Sequence, residues 1–123
     1  MTAAVLIVDD EADFLATYDR LLRRQGYRTI TAGSRQAALE ALEGERPDLI
    51  IADLRLADGD GLDVVRAARA RLRPPPVIVV TGFSSGESRK QALDAGATAY
   101  LAKPFSTSAL TSLVREALGS PSP

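Results

Sequence analysis

The chain contains no cysteine and no histidine. The first absence excludes disulfides, thiol catalysis and thiolate metal sites. The second excludes more: this chain can form no imidazole base, no imidazole-ligated metal and no phosphohistidine. Any phosphohistidine that reacts with it must sit on another molecule. Long apolar runs are also missing, and the N-terminus lacks the basic stretch and hydrophobic segment of a secretion signal. A cytoplasmic protein without membrane contact is therefore expected. Nor does one sign of charge dominate. Fifteen Lys and Arg against 16 Asp and Glu leave a formal net charge of −1. Long-range attraction thus gives no reason to expect direct binding to nucleic acid. Only Lys90 and Lys103 are lysines, and the abundance of Ala and Arg reads as genome base composition.

What is present is an alternation. The 123 residues suit one domain with one core. Short apolar runs at 4–8, 28–32, 48–52, 77–81 and 98–102 read as strands. Four are nearly continuous in apolar residues, as parallel strands covered on both faces require. Arg28-Thr29-Ile30-Thr31-Ala32 alternates instead and suits a sheet edge. Helices are expected at 11–25, with Phe14, Leu15, Tyr18, Leu21 and Leu22 on one stripe, and at 35–43 behind a Ser34 cap. Two more are expected at 61–72, stopped by Pro74-Pro75-Pro76, and at 86–95, closed by Gly96. The fifth runs from a Ser106 or Thr107 cap to about Leu118. Repeated strand–helix units with short connections imply a doubly wound α/β fold with right-handed crossovers. The domain is expected over 1–118. Residues 119–123, Gly-Ser-Pro-Ser-Pro, read as a tail or the start of a linker from an N-terminal module.

Doubly wound sheets bind ligands at the carboxyl ends of their strands, and there the polar residues collect. Leu6-Ile7-Val8 leads into Asp9-Asp10, Leu49-Ile50-Ile51-Ala52 into Asp53, Val77-Ile78-Val79-Val80 into Thr81, and Tyr100-Leu101-Ala102 into Lys103. Taken singly, each has a bland explanation. The acidic pair would cap a helix, Asp53 would open a turn, Thr81 would bond local backbone, and Lys103 would be solvated. Taken together, three carboxylates, a hydroxyl and an ammonium meet at one sheet edge. Three close carboxylates repel unless a cation compensates, and Mg²⁺ prefers such oxygen donors. With that repulsion offset, Asp53 could act as a nucleophile towards phosphorus. Thr81 and Lys103 would then supply donors for the phosphate oxygens. Lys103-Pro104 allows a cis peptide that would aim the lysine inward.

These segments resemble the receiver domains of two-component response regulators from about Ala4 to Leu118. The resemblance rests on Val-Leu-Ile-Val-Asp9-Asp10-Glu11, on Asp53-Leu-Arg-Leu-Ala-Asp-Gly-Asp60-Gly61-Leu62, on Val-Val-Thr81-Gly82, on Gly96-Ala97-Thr-Ala-Tyr100-Leu and on Lys103-Pro104-Phe105. It implies a flavodoxin-like three-layer (βα)5 sandwich with a five-stranded parallel sheet in order 2-1-3-4-5. It implies that Asp53 is the phosphoacceptor, and that Asp10, Asp53 and the Arg55 carbonyl, with Asp9 partly through water, hold Mg²⁺ or Mn²⁺. Thr81 resembles the switch hydroxyl, Lys103 the phosphate-pairing lysine and Tyr100 the aromatic that changes rotamer. Arg55 and Phe83 match the positions that tune phosphate loss. The implied donor is a histidine kinase or histidine phosphotransfer protein. An output domain or target protein would read the changed surface of the fourth helix, fifth strand and fifth helix, a face that also permits a homodimer. Relatives often carry proline where this chain has Ala57, so a less stiff loop is expected there.

Other signals carry less. Asp58-Gly59-Asp60-Gly61 looks like part of a calcium loop, but the distal glutamate is missing, so a turn is expected. The arginines at 20, 23, 24, 66, 69, 71 and 73 lack interleaved aromatics and read as solvated helix faces. A phosphohydrolase acting through an aspartyl phosphate would need room for a cap domain. A flavin protein would need a phosphate-cradling loop after the first strand, where this chain has acids. Both lose to a switch that catalyses only its own phosphorylation and dephosphorylation and is otherwise not an enzyme.

Overall fold

The computed structural model describes residues 2–119; of the tail or linker expected over 119–123, residues 120–123 lie outside them. Five strands form one parallel sheet: β1 (Ala4–Val8), β2 (Arg28–Ala32), β3 (Leu49–Asp53), β4 (Val77–Thr81) and β5 (Ala99–Ala102), in the order β2-β1-β3-β4-β5. The helices between them are α1 (Ala12–Arg24), α2 (Arg35–Gly44), α3 (Leu62–Arg69), α4 (Gly86–Asp94) and α5 (Thr107–Leu118). The doubly wound sandwich and its strand order are those expected. The alternating segment is indeed an edge strand.

The side-chain alternation of the inner strands sorts the core into two layers. Val5, Ile7, Ile51, Ile78 and Val80 pack with Tyr18 and Leu22 of α1 and Leu110 and Val114 of α5. Leu6, Val8, Ile50, Ala52 and Val79 face Ala38 and Leu42 of α2, Val64, Val65 and Ala68 of α3, and Ala92 of α4. Every residue of β1, β3 and β4 is buried, which is why those runs show no polar alternation.

Several boundaries move, most of them by a single residue. α3 stops at Arg69, short of 72, because residue 71 leaves the helix. The Arg71 guanidinium hydrogen-bonds the carbonyls of Leu42 and Glu45, the latter at 3.2 Å. Pro74 then disfavours helical geometry at Arg73. β3 is displaced by one residue, so Asp53 is the last residue of the strand and pairs in register with Val80. β5 begins at Ala99. Ser106, rather than Thr107, caps α5, accepting from the Ala109 amide at 3.1 Å.

Candidate functional site

The register brings the carboxyl ends of β1, β3, β4 and β5 level, with Val8 opposite Ala52, Asp53 opposite Val80, and Thr81 opposite Ala102. The Lys103 amide donates to the Thr81 carbonyl at 2.7 Å, which extends β5 by one bond and turns the lysine over the strand ends. The Lys103–Pro104 peptide is cis. Lys103 Nζ lies 2.8 Å from Asp9 Oδ2 and 3.0 Å from Asp53 Oδ2, with its side chain only 7% exposed. The same ammonium sits 4.1 Å from the centroid of the Phe14 ring. Burial pushes the Lys103 pKa down, but hydrogen bonds and charge from Asp9 and Asp53 outweigh it, and the net direction is up.

Neither aspartate of the pair caps α1. Asp9 is buried, and its Oδ1 accepts from the Glu11 amide at 2.9 Å, whereas Asp10 is exposed. Asp53 makes the local turn contact, Oδ1 to the Arg55 amide at 3.1 Å, in addition to its bond with Lys103. One carboxylate oxygen from each of Asp9, Asp10 and Asp53 falls within 4.8 Å of the others. That donor set is all hard oxygen and carries three negative charges against one lysine. It fits Mg²⁺ or Mn²⁺, which favour carboxylate and carbonyl oxygen.

Thr81 is buried, and its hydroxyl accepts from the Phe83 amide at 3.0 Å, so in this structure it serves local backbone. Tyr100 is half-buried, and its hydroxyl shares a 2.6 Å hydrogen bond with Ser88 Oγ. Ser88 also forms a reciprocal capping box with Ser85 at the start of α4. The Arg55 guanidinium stacks over the Phe83 ring at 4.1 Å from its centroid. These two side chains, expected only as separate neighbours of the site, form one pair.

The loop after Asp53 is braced despite Ala57. Arg55–Leu56 and Gly59–Asp60 form a two-residue antiparallel ribbon, and the Gly61 amide donates to the Leu54 carbonyl at 2.7 Å. Asp58 reaches across to α2, accepting from the Arg35 and Gln36 amides at 2.8 and 2.9 Å. Arg35 packs over Gly59 and pairs with Asp63 at 2.8 Å. Hydrogen bonds from Gln36 and Arg35 hold the Asp58 carboxyl below its usual range, and Arg35 does the same for Asp63. The expected loss of stiffness is thereby countered. Sequence reasoning missed this clasp and the Ser88 contact. In the sequence Asp58 reads only as a turn residue, because its partner lies 23 residues away.

Beneath the site, the rings of Phe14, Tyr18 and Phe105 stack in a row, with centroids 5.9 and 5.7 Å apart. The Tyr18 hydroxyl is buried with no hydrogen-bond partner among the described residues, and burial pushes its pKa up to about 12. An unmatched buried hydroxyl costs desolvation and returns nothing. Tyr18→Phe is therefore expected to leave stability unchanged or raise it by about 1 kcal/mol, measured by urea denaturation. A clear loss would mean the hydroxyl has a partner in solution.

A lysine bridging two aspartates at the carboxyl end of a doubly wound sheet, with a third carboxylate alongside, makes a site suited to a hard cation and a phosphoryl group. The family model for the response regulator receiver domain matches residues 5–115, and the chain belongs to that family. It is 40% identical over 114 residues to the transcriptional regulatory protein PrrA of Mycobacterium tuberculosis, covering 93% of this chain and 49% of that protein. To KdpE of the same organism it is 39% identical, covering 93% and 50%. The chain thus spans about half the length of the curated relatives it matches. Among solved structures, a CheY-like receiver domain protein from Methanospirillum hungatei superposes with a TM-score of 0.88 at 32% identity, covering 94% of this chain and 93% of that one. A Burkholderia pseudomallei response regulator with a phosphorylated aspartic acid and a calcium ion superposes at 0.81, with 29% identity and coverage of 97% and 75%. No described helix is long and apolar enough to cross a membrane.

Proposed function

We propose that Asp53 accepts a phosphoryl group from a phosphohistidine on a partner histidine kinase or phosphotransfer protein, in a reaction that depends on Mg²⁺ or Mn²⁺. The observation that carries this is the Lys103 ammonium bridging Asp9 and Asp53, with Asp10 alongside. One oxygen of Asp53 attacks phosphorus, the P–N bond to the donor imidazole breaks with its electron pair left on nitrogen, and an aspartyl phosphate results. Lys103, already on Asp53 Oδ2, neutralises part of the charge that builds on the phosphoryl oxygens. Asp9, Asp10, Asp53 and the Arg55 carbonyl would hold the metal, which supplies further charge neutralisation there.

The switch follows from the bonds that phosphorylation must exchange. Thr81 trades its Phe83 amide for a phosphate oxygen, which draws the loop after β4 inward. Tyr100 changes rotamer only by releasing Ser88, so the N-terminus of α4 responds together with the face formed by α4, β5 and α5. A downstream output domain, a target protein or a second copy reads that face. The relatives are named as transcriptional regulators, and an output of that kind fits the half of their length this chain does not span. Arg55 and Phe83, stacked beside the loop, restrict water approaching the acyl phosphate. The site works on its own carboxylate and turns over no external substrate.

The test is intact-mass spectrometry after incubation with acetyl phosphate. A single hydroxylamine-labile phosphoryl adduct is expected with Mg²⁺ and none in the presence of a chelator. Equal labelling without metal, or none under either condition, removes the proposal.

A further inference from the structure

The pole opposite Asp53, at the amino ends of the strands, carries a groove of about 900 Å³ whose lining includes Arg28, Arg46, Asp48, Arg71, Leu72 and Arg73. Four guanidiniums there face one carboxylate, a local excess of three positive charges in a chain whose net charge is −1. Much of the arginine at this end has an ordinary cause. Arg23, Arg24, Arg66, Arg69 and Arg115 occupy the last turns of their helices, where cations complement the macrodipole. Arg71 binds the carbonyls of Leu42 and Glu45 and fixes one wall of the groove. Asp48 is committed to the Ala4 amide at 2.8 Å.

Arg28, Arg46 and Arg73 have no such cause. None lies in a helix, and among the described residues their side chains make no ion pair or hydrogen bond. Between Arg71 and Arg73, Leu72 is 99% exposed, the most open large apolar side chain among the described residues. Its neighbours are held: Arg71 by carbonyls, and the segment after it by three prolines. The chain reaches its last described residue close by, where the Gly119 carbonyl accepts from the Tyr27 hydroxyl at 3.4 Å, next to Arg28.

We propose that this groove binds an acidic segment of a partner protein that carries a large apolar side chain among its carboxylates. Charge complementarity selects the acids, and Leu72 supplies the apolar contact. A nucleic-acid backbone would satisfy the arginines but offers Leu72 less apolar surface than a large apolar side chain does. The groove and Asp53 lie at opposite ends of the sheet, so a partner seated here leaves the phosphorylation site open.

The experiment is an amide-resolved NMR titration of the chain with a short synthetic peptide of glutamates and leucines. Controls are the same peptide with glutamine for glutamate, and a random-sequence DNA duplex. Saturable shifts should centre on Arg28, Arg46–Asp48 and Leu72–Arg73 and require the glutamates. The triple variant Arg28→Gln/Arg46→Gln/Arg73→Gln should weaken binding at least about tenfold, and Leu72→Ser about threefold. The charge-matched control Arg20→Gln/Arg24→Gln/Arg89→Gln should change it less than about twofold. Absent or unsaturable shifts overturn the proposal, as does equal loss in both triple variants. So does tighter DNA binding through the same amides that ignores Leu72→Ser.

Discussion

Asp53→Asn is expected to abolish the phosphoryl adduct completely while leaving the fold intact. Asparagine keeps the shape of the side chain, and its amide oxygen still accepts from the Arg55 amide, as Asp53 Oδ1 does at 3.1 Å. What it loses is the carboxylate proposed as the nucleophile. Lys103 keeps its 2.8 Å bond to Asp9, so no charge is left buried alone. Removing one of three crowded carboxylates also relieves repulsion. Stability should therefore stay within about 1 kcal/mol of wild type, with no adduct in the mass spectrum.

Lys103→Met should behave differently. It leaves the buried Asp9 and Asp53 carboxylates facing each other without their cation, and should cost about 3 kcal/mol at neutral pH. Labelling should slow without vanishing, because the proposed nucleophile remains. If Asp53→Asn still gains an adduct, another carboxylate is the acceptor and the proposed site is wrong.

The contrast between these variants rests on contacts that strand-end logic made legible. Each of Asp9, Asp53, Thr81 and Lys103 ends or follows an apolar run. Parallel strands in register must bring such positions together, whatever the helices do. Arg28–Ala32 was readable as an edge because only an edge tolerates alternation there. The positions that escaped depend on geometry between distant segments. Asp58 reads as a turn residue until α2 is placed beside the loop. Ser88 reads as a helix cap until β5 brings Tyr100 to it. The early end of α3 was hidden because it turns on Arg71 finding the carbonyls that α2 leaves free at its C-terminus, a tertiary contact with no local pattern. Thr81 was half legible: its placement followed from the strand, but in this structure its hydroxyl makes the bland backbone contact with Phe83.

Gly61→Ala should be among the most damaging single substitutions in the chain, although the residue is neither charged nor catalytic. A Cβ at Gly61 would lie 1.9 Å from the Asp53 carbonyl oxygen and 2.9 Å from the Leu54 Cα, both backbone atoms of β3 and its exit. A flexible side chain could move aside; these atoms cannot without shifting the strand end. Gly61 is also fixed from both directions, its amide on the Leu54 carbonyl and its own carbonyl accepting from the Val64 and Val65 amides at the start of α3. Relief must therefore come from opening the Leu54–Gly61 closure. That releases the Arg55–Asp60 ribbon and with it the Arg55 carbonyl, proposed above as a metal ligand. The expected cost is about 3 kcal/mol or more, a drop in Tm on the order of 10 °C. Adduct formation should become dependent on much higher Mg²⁺ concentration. Gly33→Ala is the control, since nothing lies within 4 Å of a Cβ there, and it should change both quantities little. A destabilised Gly61→Ala protein that still labels at wild-type Mg²⁺ would show that the Arg55 carbonyl takes no part in holding the metal. A protein unchanged in both respects would show that the close approach of this loop to β3 is not what fixes the site.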